Sequence, residues 1–430
     1  MKKNILILGM FLSFIFLPMA LADTIEWNKT YTHPQTYQYP SSKIDFDFST
    51  GDFAVGGYYW DIAKYDENGD QIWLYRYNIS GQTVYETEIN QNNREIYYVG
   101  GTSQYNYPCR FRRFDTNGNL LAEKTEGLSY CHWEHIETLS NNDFIANKGW
   151  YSSKWEAGVG RYDNNGNQIW FYHPTGTGSA WGESVAVSPD EKYVYFYFYM
   201  IGGAQYFYQL NATDGSYVGM YVHPVSNSHI IDMETDPSGD IYFIDYNSGT
   251  YNVNISKMSS TLTFPLSTIW SRNINVLARN SAVYLFDLEI DVHNNIIAVG
   301  EEGDIFGDPY IHSNAFMVKY DSDGNLLFTH SNDPSMYDTE YHSVTSNRFG
   351  NYITMGMYPS PPKIWYVKYK AYDEWFCVVE GICMESMFCF IASVPKFLID
   401  LMNCVSGLLW IIFALVIGGV IIMLAKKGLG

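Results

Sequence analysis

The chain has 430 residues, and 46 acidic against 26 basic side chains leave a formal charge of −20. That balance argues against a nucleic-acid partner, because phosphate contacts need clustered Lys and Arg. With 38 Tyr and 12 Trp, the composition suits strands that carry polar, ring-rich surfaces.

Residues 1–22 read as a secretory leader. Lys2 and Lys3 precede an apolar run, and Ala20-Leu21-Ala22 supplies a small-residue cleavage site before Asp23. Cleavage there leaves a chain that is expected to fold outside the cell.

From residue 23 to 372 one pattern recurs. A strand ends in an aromatic-Asp pair, a Gly-containing turn follows, and a second strand runs on with Trp or Leu. The copies begin at Lys64, Arg113, Arg161 and Lys319, with looser ones at Gln209 and Lys257. Tyr65, Phe114, Tyr162 and Leu210 are 49, 48 and 48 residues apart, a period that implies an array of supersecondary units. Asp66-Glu-Asn-Gly-Asp70 also has calcium-loop spacing, but no copy carries the downstream Glu that such a loop needs, so a hairpin turn is the better reading.

Another strand pair precedes each hairpin, which makes four strands per unit and predicts an all-β, seven-bladed propeller. The units start near Lys43, Thr83, His132, Ala180, His229, Val283 and Tyr341. The seventh lacks its last strand. The stretch from Thr24 to Tyr31 resembles the fourth strand of the first unit. Pairing it with Ile364 to Tyr369 would close the ring and remove both open edges.

The chain then changes character. Residues 373–404 form a Cys-rich, membrane-proximal segment, and residues 405–425 carry no charge over 21 positions, enough for one C-terminal transmembrane α-helix. Lys426 and Lys427 place the tail 426–430 on the cytoplasmic side. The expected location is a cell membrane or a virion envelope, crossed once, with the propeller outside. Cys109, Cys131, Cys377, Cys383, Cys389 and Cys404 are disulfide candidates in that oxidising setting, with connectivity open. Sequons at Asn28, Asn78, Asn211 and Asn254 are glycosylation candidates.

No nucleophile elbow, zinc-protease helix or Walker loop is present. One constellation stands out: a polar residue near the start of each innermost strand, namely Asp45, Glu86, Glu134, Glu183, Asp232, Asp287 and His342. Strict alternation would set them at one level of the central channel. As a site, such a ring would bind a cation or a basic group; the plainer reading is polar residues at solvated strand starts in an acidic protein. No cofactor is expected beyond a cation in that channel.

The segment Asn295-Ile-Ile-Ala-Val-Gly300, followed by Ala315-Phe-Met-Val-Lys-Tyr-Asp-Ser-Asp-Gly-Asn-Leu-Leu327, resembles the repeat of SBBP-type β-propellers of bacteria and archaea, over roughly residues 24 to 370. The resemblance implies the propeller and little about activity. The favoured expectation is a membrane-anchored recognition or adhesion protein whose partner is an extracellular protein or a glycan. An exported glycan-acting enzyme using channel-mouth carboxylates, or a structural envelope component, are the alternatives.

Overall fold

A computed structural model describes residues 24–31, 43–56, 62–76, 83–101, 108–126, 131–151, 155–174, 180–200, 205–222, 228–260, 268–277, 283–303, 314–332, 339–359 and 362–370. The leader, the Cys-rich segment and the proposed span lie outside them. Among the described residues no helix is long and apolar enough to cross a membrane.

In chain order the strands are β1 (Thr24–Tyr31), then β2 (Ile44–Phe46), β3 (Phe53–Gly56), β4 (Ile62–Tyr65) and β5 (Gln71–Tyr75), which form the first blade. The second has β6 (Thr83–Ile89), β7 (Ile96–Gly101), β8 (Cys109–Phe114) and β9 (Leu120–Glu126); the third β10 (Cys131–Thr138), β11 (Phe144–Tyr151), β12 (Trp155–Tyr162) and β13 (Gln168–Tyr172). The fourth has β14 (Ala180–Val187), β15 (Tyr193–Met200), β16 (Gln205–Asn211) and β17 (Tyr217–Val222); the fifth β18 (Ser228–Thr235), β19 (Ile241–Asn247), β20 (Asn252–Met258) and β21 (Thr268–Asn273). The sixth has β22 (Val283–Ile290), β23 (Ile296–Glu302), β24 (Asn314–Tyr320) and β25 (Leu326–Asn332).

The seventh is the expected composite. β26 (Glu340–Ser346), β27 (Tyr352–Pro359) and β28 (Pro362–Lys370) are completed by β1, which runs antiparallel to β28 from Thr24 opposite Lys370 to Tyr31 opposite Ile364. Seven four-stranded sheets result, each strand antiparallel to the next. The seven-bladed propeller expected from the repeat is therefore present.

The repeat motif has a packing reason. In the four close copies an Asp carboxylate accepts backbone N–H groups two and four residues on, as Asp163 does from Asn165 and Asn167, which fixes a tight turn. The turn of one blade then receives the outer-strand Trp of the previous blade. Trp170 donates from Nε1 to the Ala212 carbonyl at 3.0 Å, and its ring lies against Gly215. Gly215 has φ +71°, and a Cβ there would sit 2.6 Å from Trp170 Cε3, so glycine is required on both counts. Trp73 and Trp270 repeat the contact, donating to the carbonyls of Thr116 and Ser322.

Apolar side chains fill the seams between blades. Trp133, fully buried, packs with Phe111, Phe144 and Tyr162 across the second and third blades. Cys109 of β8 and Cys131 of β10 form a disulfide across the same seam, with Cα atoms 4.9 Å apart. The other four cysteines lie outside the described residues. Asn28 is exposed on β1, Asn211 and Asn254 are half-buried, and Asn78 lies outside the described residues.

Candidate functional site

The first strand of each blade ends in a tight turn that opens at an equivalent residue: Asp47, Asn90, Leu139, Ser188, Asp236, Asp291 and Asn347. Counting back from these gives the true levels of the channel wall. Four residues before the turn stand Lys43, Glu86, His135 and Ser184, then Asp232, Asp287 and Ser343. Two residues before it stand Asp45, Glu88, Glu137 and Ala186, then Glu234, Glu289 and Thr345. The first set is the inner rung and the second the turn-side rung.

The seven residues expected to form one level do not share one. Asp45 belongs to the turn-side rung, and Glu86, Asp232 and Asp287 to the inner rung. Glu134, Glu183 and His342 occupy neither. The cause is a bulge: pairing of the first strand with the second shifts between Val84 and Glu86, Trp133 and Ile136, Gly182 and Ser184, Ile230 and Asp232, Leu285 and Asp287, and Tyr341 and Ser343. An inserted residue breaks strict alternation, so counting from the strand start slips by one. At the bulge position, His342 stacks on Phe286 with ring centres 5.0 Å apart and sets Nε2 2.8 Å from Glu340. The bulge also explains a strand glycine. A Cβ on Gly300 would fall 1.9 Å from the Tyr284 carbonyl oxygen.

The inner rung is organised around Lys43. Its ammonium lies 2.8 Å from Asp232, 3.2 Å from Asp287 and 3.5 Å from Glu86, so one cation reaches three blades. Burial works against that charge, yet the surrounding carboxylates outweigh it and push the Lys43 pKa well above its ordinary value. His135 sets Nδ1 3.0 Å from Glu86; burial and Lys43 oppose its protonation, but Glu86 and Asp232 raise its pKa on balance. Burial pushes Asp232 up to about 7 against the pull of Lys43.

Several of these carboxylates also join blade to blade. Asp232 accepts the Leu288 N–H at 2.9 Å, Asp287 accepts that of Val344 at 2.8 Å, and Asp45 accepts that of Ile89 at 2.6 Å. Ser343 donates to Asp287 at 2.7 Å and accepts from the Ile44 N–H at 3.0 Å. In these positions an acid does structural work by satisfying the next blade's backbone.

The turn-side rung has a different balance. It holds five carboxylic side chains and no cation of its own. Glu88 is met by the Thr138 hydroxyl at 3.1 Å and Glu289 by that of Ser346 at 2.8 Å. Glu137 and Glu234 receive no hydrogen bond among the described residues. Desolvation raises Asp45 to about 7 and lifts Glu88, Glu137, Glu234 and Glu289 well above the carboxylate range, each pushed further by acidic neighbours. Solvent nonetheless reaches this rung. All five stay partly exposed, whereas Asp232 and Asp287 of the inner rung are only 1% and 2% exposed.

Lys43, His135, Glu88, Glu137, Glu234 and Glu289 were missed by reading from the strand starts. The turn residues, each at a fixed distance from the channel positions, were the signal that finds them. Among the described residues no group of three or more His, Cys, Asp or Glu side chains stands so as to hold a metal ion. Two indoles of the third blade are packing groups: Trp133 fills the seam, and Trp150 rests on Phe171 and His173.

The chain matches no protein-family model. No curated protein matches its sequence. Solved structures resemble it in fold. Raptor of Chaetomium thermophilum superposes with a TM-score of 0.56 at 9% identity over 82% of this chain, which spans only 29% of the Raptor chain. The Cps50 (Swd1) β-propeller domain of Myceliophteria thermophila gives 0.53 at 9% identity, covering 80% of this chain and 99% of that domain. A chain of the Mitotic Checkpoint Complex gives 0.55 at 11% identity, covering 81% and 92%. At such identities the likeness establishes the propeller and nothing finer.

Proposed function

We propose that this propeller is a recognition scaffold displayed outside a membrane, delivered by residues 1–22 and held by residues 405–425, with an extracellular protein as its partner. The repeat is assigned, on the residues quoted above, to the SBBP type. A closed ring of seven sheets is rigid and offers two faces of turns and loops, which suits binding. The similar Mitotic Checkpoint Complex chain is, by its name, part of an assembly.

The observation that carries the outward placement is the Cys109–Cys131 bond across two blades, because disulfides persist in oxidising compartments. The test uses the full chain with a C-terminal epitope in its producing cell. Protease applied to intact cells is expected to remove the propeller and leave the epitope on a short membrane-bound fragment. A propeller that is cut only after lysis would refute the reading. Cross-linking on intact cells should then recover a protein partner.

A further inference from the structure

The turn-side rung opens toward the rim made by the turns that follow the first strands. Three consecutive blades expose apolar side chains there: Val292 of the sixth blade at 47%, Phe349 of the seventh at 61% and Phe48 of the first at 39%. Arg348 lies over the Phe349 ring, 4.7 Å from its centre. An apolar rim beside a well of acids is the pattern of an anchored contact, in which one polar side chain inserts and its neighbours pack around it.

We propose that this mouth receives a single arginine side chain from a partner protein, with the segment's apolar residues resting on Phe48, Val292 and Phe349. The inference rests on the scaffold reading and names its partner's chemistry. Five features support the choice. The inner rung already holds an ammonium across the bore, so the channel admits a cation and Lys43 blocks its inner side. Glu137 and Glu234 have no donor within the described chain, and a guanidinium offers five. Ser184, at the inner-rung position, is fully buried with a hydroxyl oxygen that has no partner, an unmet polar group in the channel wall. The acids are spread over several blades, which suits a planar fork better than a compact ion. The net charge of −20 draws basic segments toward the protein.

The experiment uses full-length protein and a fluorescein-labelled hexapeptide with a central Leu-Arg-Phe, against a counterpart with norleucine in place of arginine, by fluorescence anisotropy at pH 7.5. The arginine peptide is expected to bind at least about tenfold more tightly. The double variant Glu137→Gln with Glu234→Gln should reduce that ratio to about twofold or less, while Phe349→Ser should weaken both peptides alike. Calorimetry of the unaltered protein in two buffers of different ionisation enthalpy should show proton release on binding, since acids that held protons surrender them to the cation. Equal binding of the two peptides, a ratio untouched by the glutamine pair, or binding without proton release would each overturn the assignment. Displacement of the arginine peptide by millimolar calcium chloride would overturn it in favour of an inorganic ion. If the double variant fails to fold, the proton count on the unaltered protein decides alone. A partner captured on cells that ignores the glutamine pair would sink this assignment and leave the scaffold standing; a propeller hidden inside cells would do the reverse.

Discussion

Replacing Lys43 by methionine keeps most of the side-chain length and removes the charge that three carboxylates share. The contacts at 2.8, 3.2 and 3.5 Å place the ammonium between Asp232, Asp287 and Glu86. Without it, the folded protein must either hold an uncompensated charge or take up a proton. Proton uptake sets the ceiling on the cost. At pH 7 a carboxylate lies about three pH units above its unfolded pKa, and each unit is worth about 1.4 kcal/mol, so one added proton costs about 4 kcal/mol. That falls within the roughly 3 to 5 kcal/mol expected for breaking a buried ion pair. The sign of the pH effect follows. The variant's folded state holds a proton that its unfolded chain lacks, so stability is present below about pH 4 and is lost as pH rises. The substitution should therefore cost about 4 kcal/mol at pH 7 and only about 1.5 kcal/mol at pH 5. Urea unfolding of the full chain, followed by tryptophan fluorescence at both pH values, measures it. A loss under about 1 kcal/mol at pH 7, or the same loss at both, would refute the reasoning.

Other substitutions probe the ring itself. Trp170→Ala should cost about 3 to 5 kcal/mol in the same assay, because it empties the seam that Trp170 fills against Gly215 and Ala212. Gly215→Ala should destabilise too, and the two losses should fall short of additive since both act on one contact; full additivity would show that they do not. Reduction of the Cys109–Cys131 bond, which closes a 22-residue separation, should lower stability by about 3 kcal/mol, and unchanged unfolding under dithiothreitol would contradict that. Deleting residues 24–31 bares the edge of β28 and should produce soluble aggregates on gel filtration, whereas a clean monomer would show that the closing strand is dispensable.

The fold was legible because its signals are local and repeated. An Asp, a Gly with positive φ and a Trp recur together since they make one contact between consecutive blades, as Trp170 and Gly215 show. The closing strand was legible for the same reason: the stretch from Thr24 looks like the outer strand that each other blade already has. The channel was legible only in part. Acids in the innermost strands could be seen, but their levels depend on a bulge that no residue type announces. Glu134 and Glu183 fall on it, while Glu137 and Glu234, each two residues before its turn, face the bore. Lys43 sits just before β2 and looked like a boundary residue, yet it supplies the inner rung's charge.

Whether the turn-side acids are merely part of the wall can be argued from the wall itself. Blade closure does not require a carboxylate at that level, since the fourth blade manages with Ala186 and the seventh with Thr345. Asp45 repays its burial by accepting the Ile89 N–H of the neighbouring blade. Glu137 and Glu234 have no such return. Their desolvation lifts their pKa values far above the ordinary range, and nothing in the described chain donates to them. Groups that cost stability without supporting the fold are where a function is expected, because a sequence free of that demand would drift toward the alanine its own fourth blade tolerates. The inner rung makes the contrast plain: there the same crowding is answered from within, by Lys43 and His135. One rung away, Lys43 pulls on Glu137 and Glu234 without offsetting their burial, and no hydrogen bond of the described chain meets them.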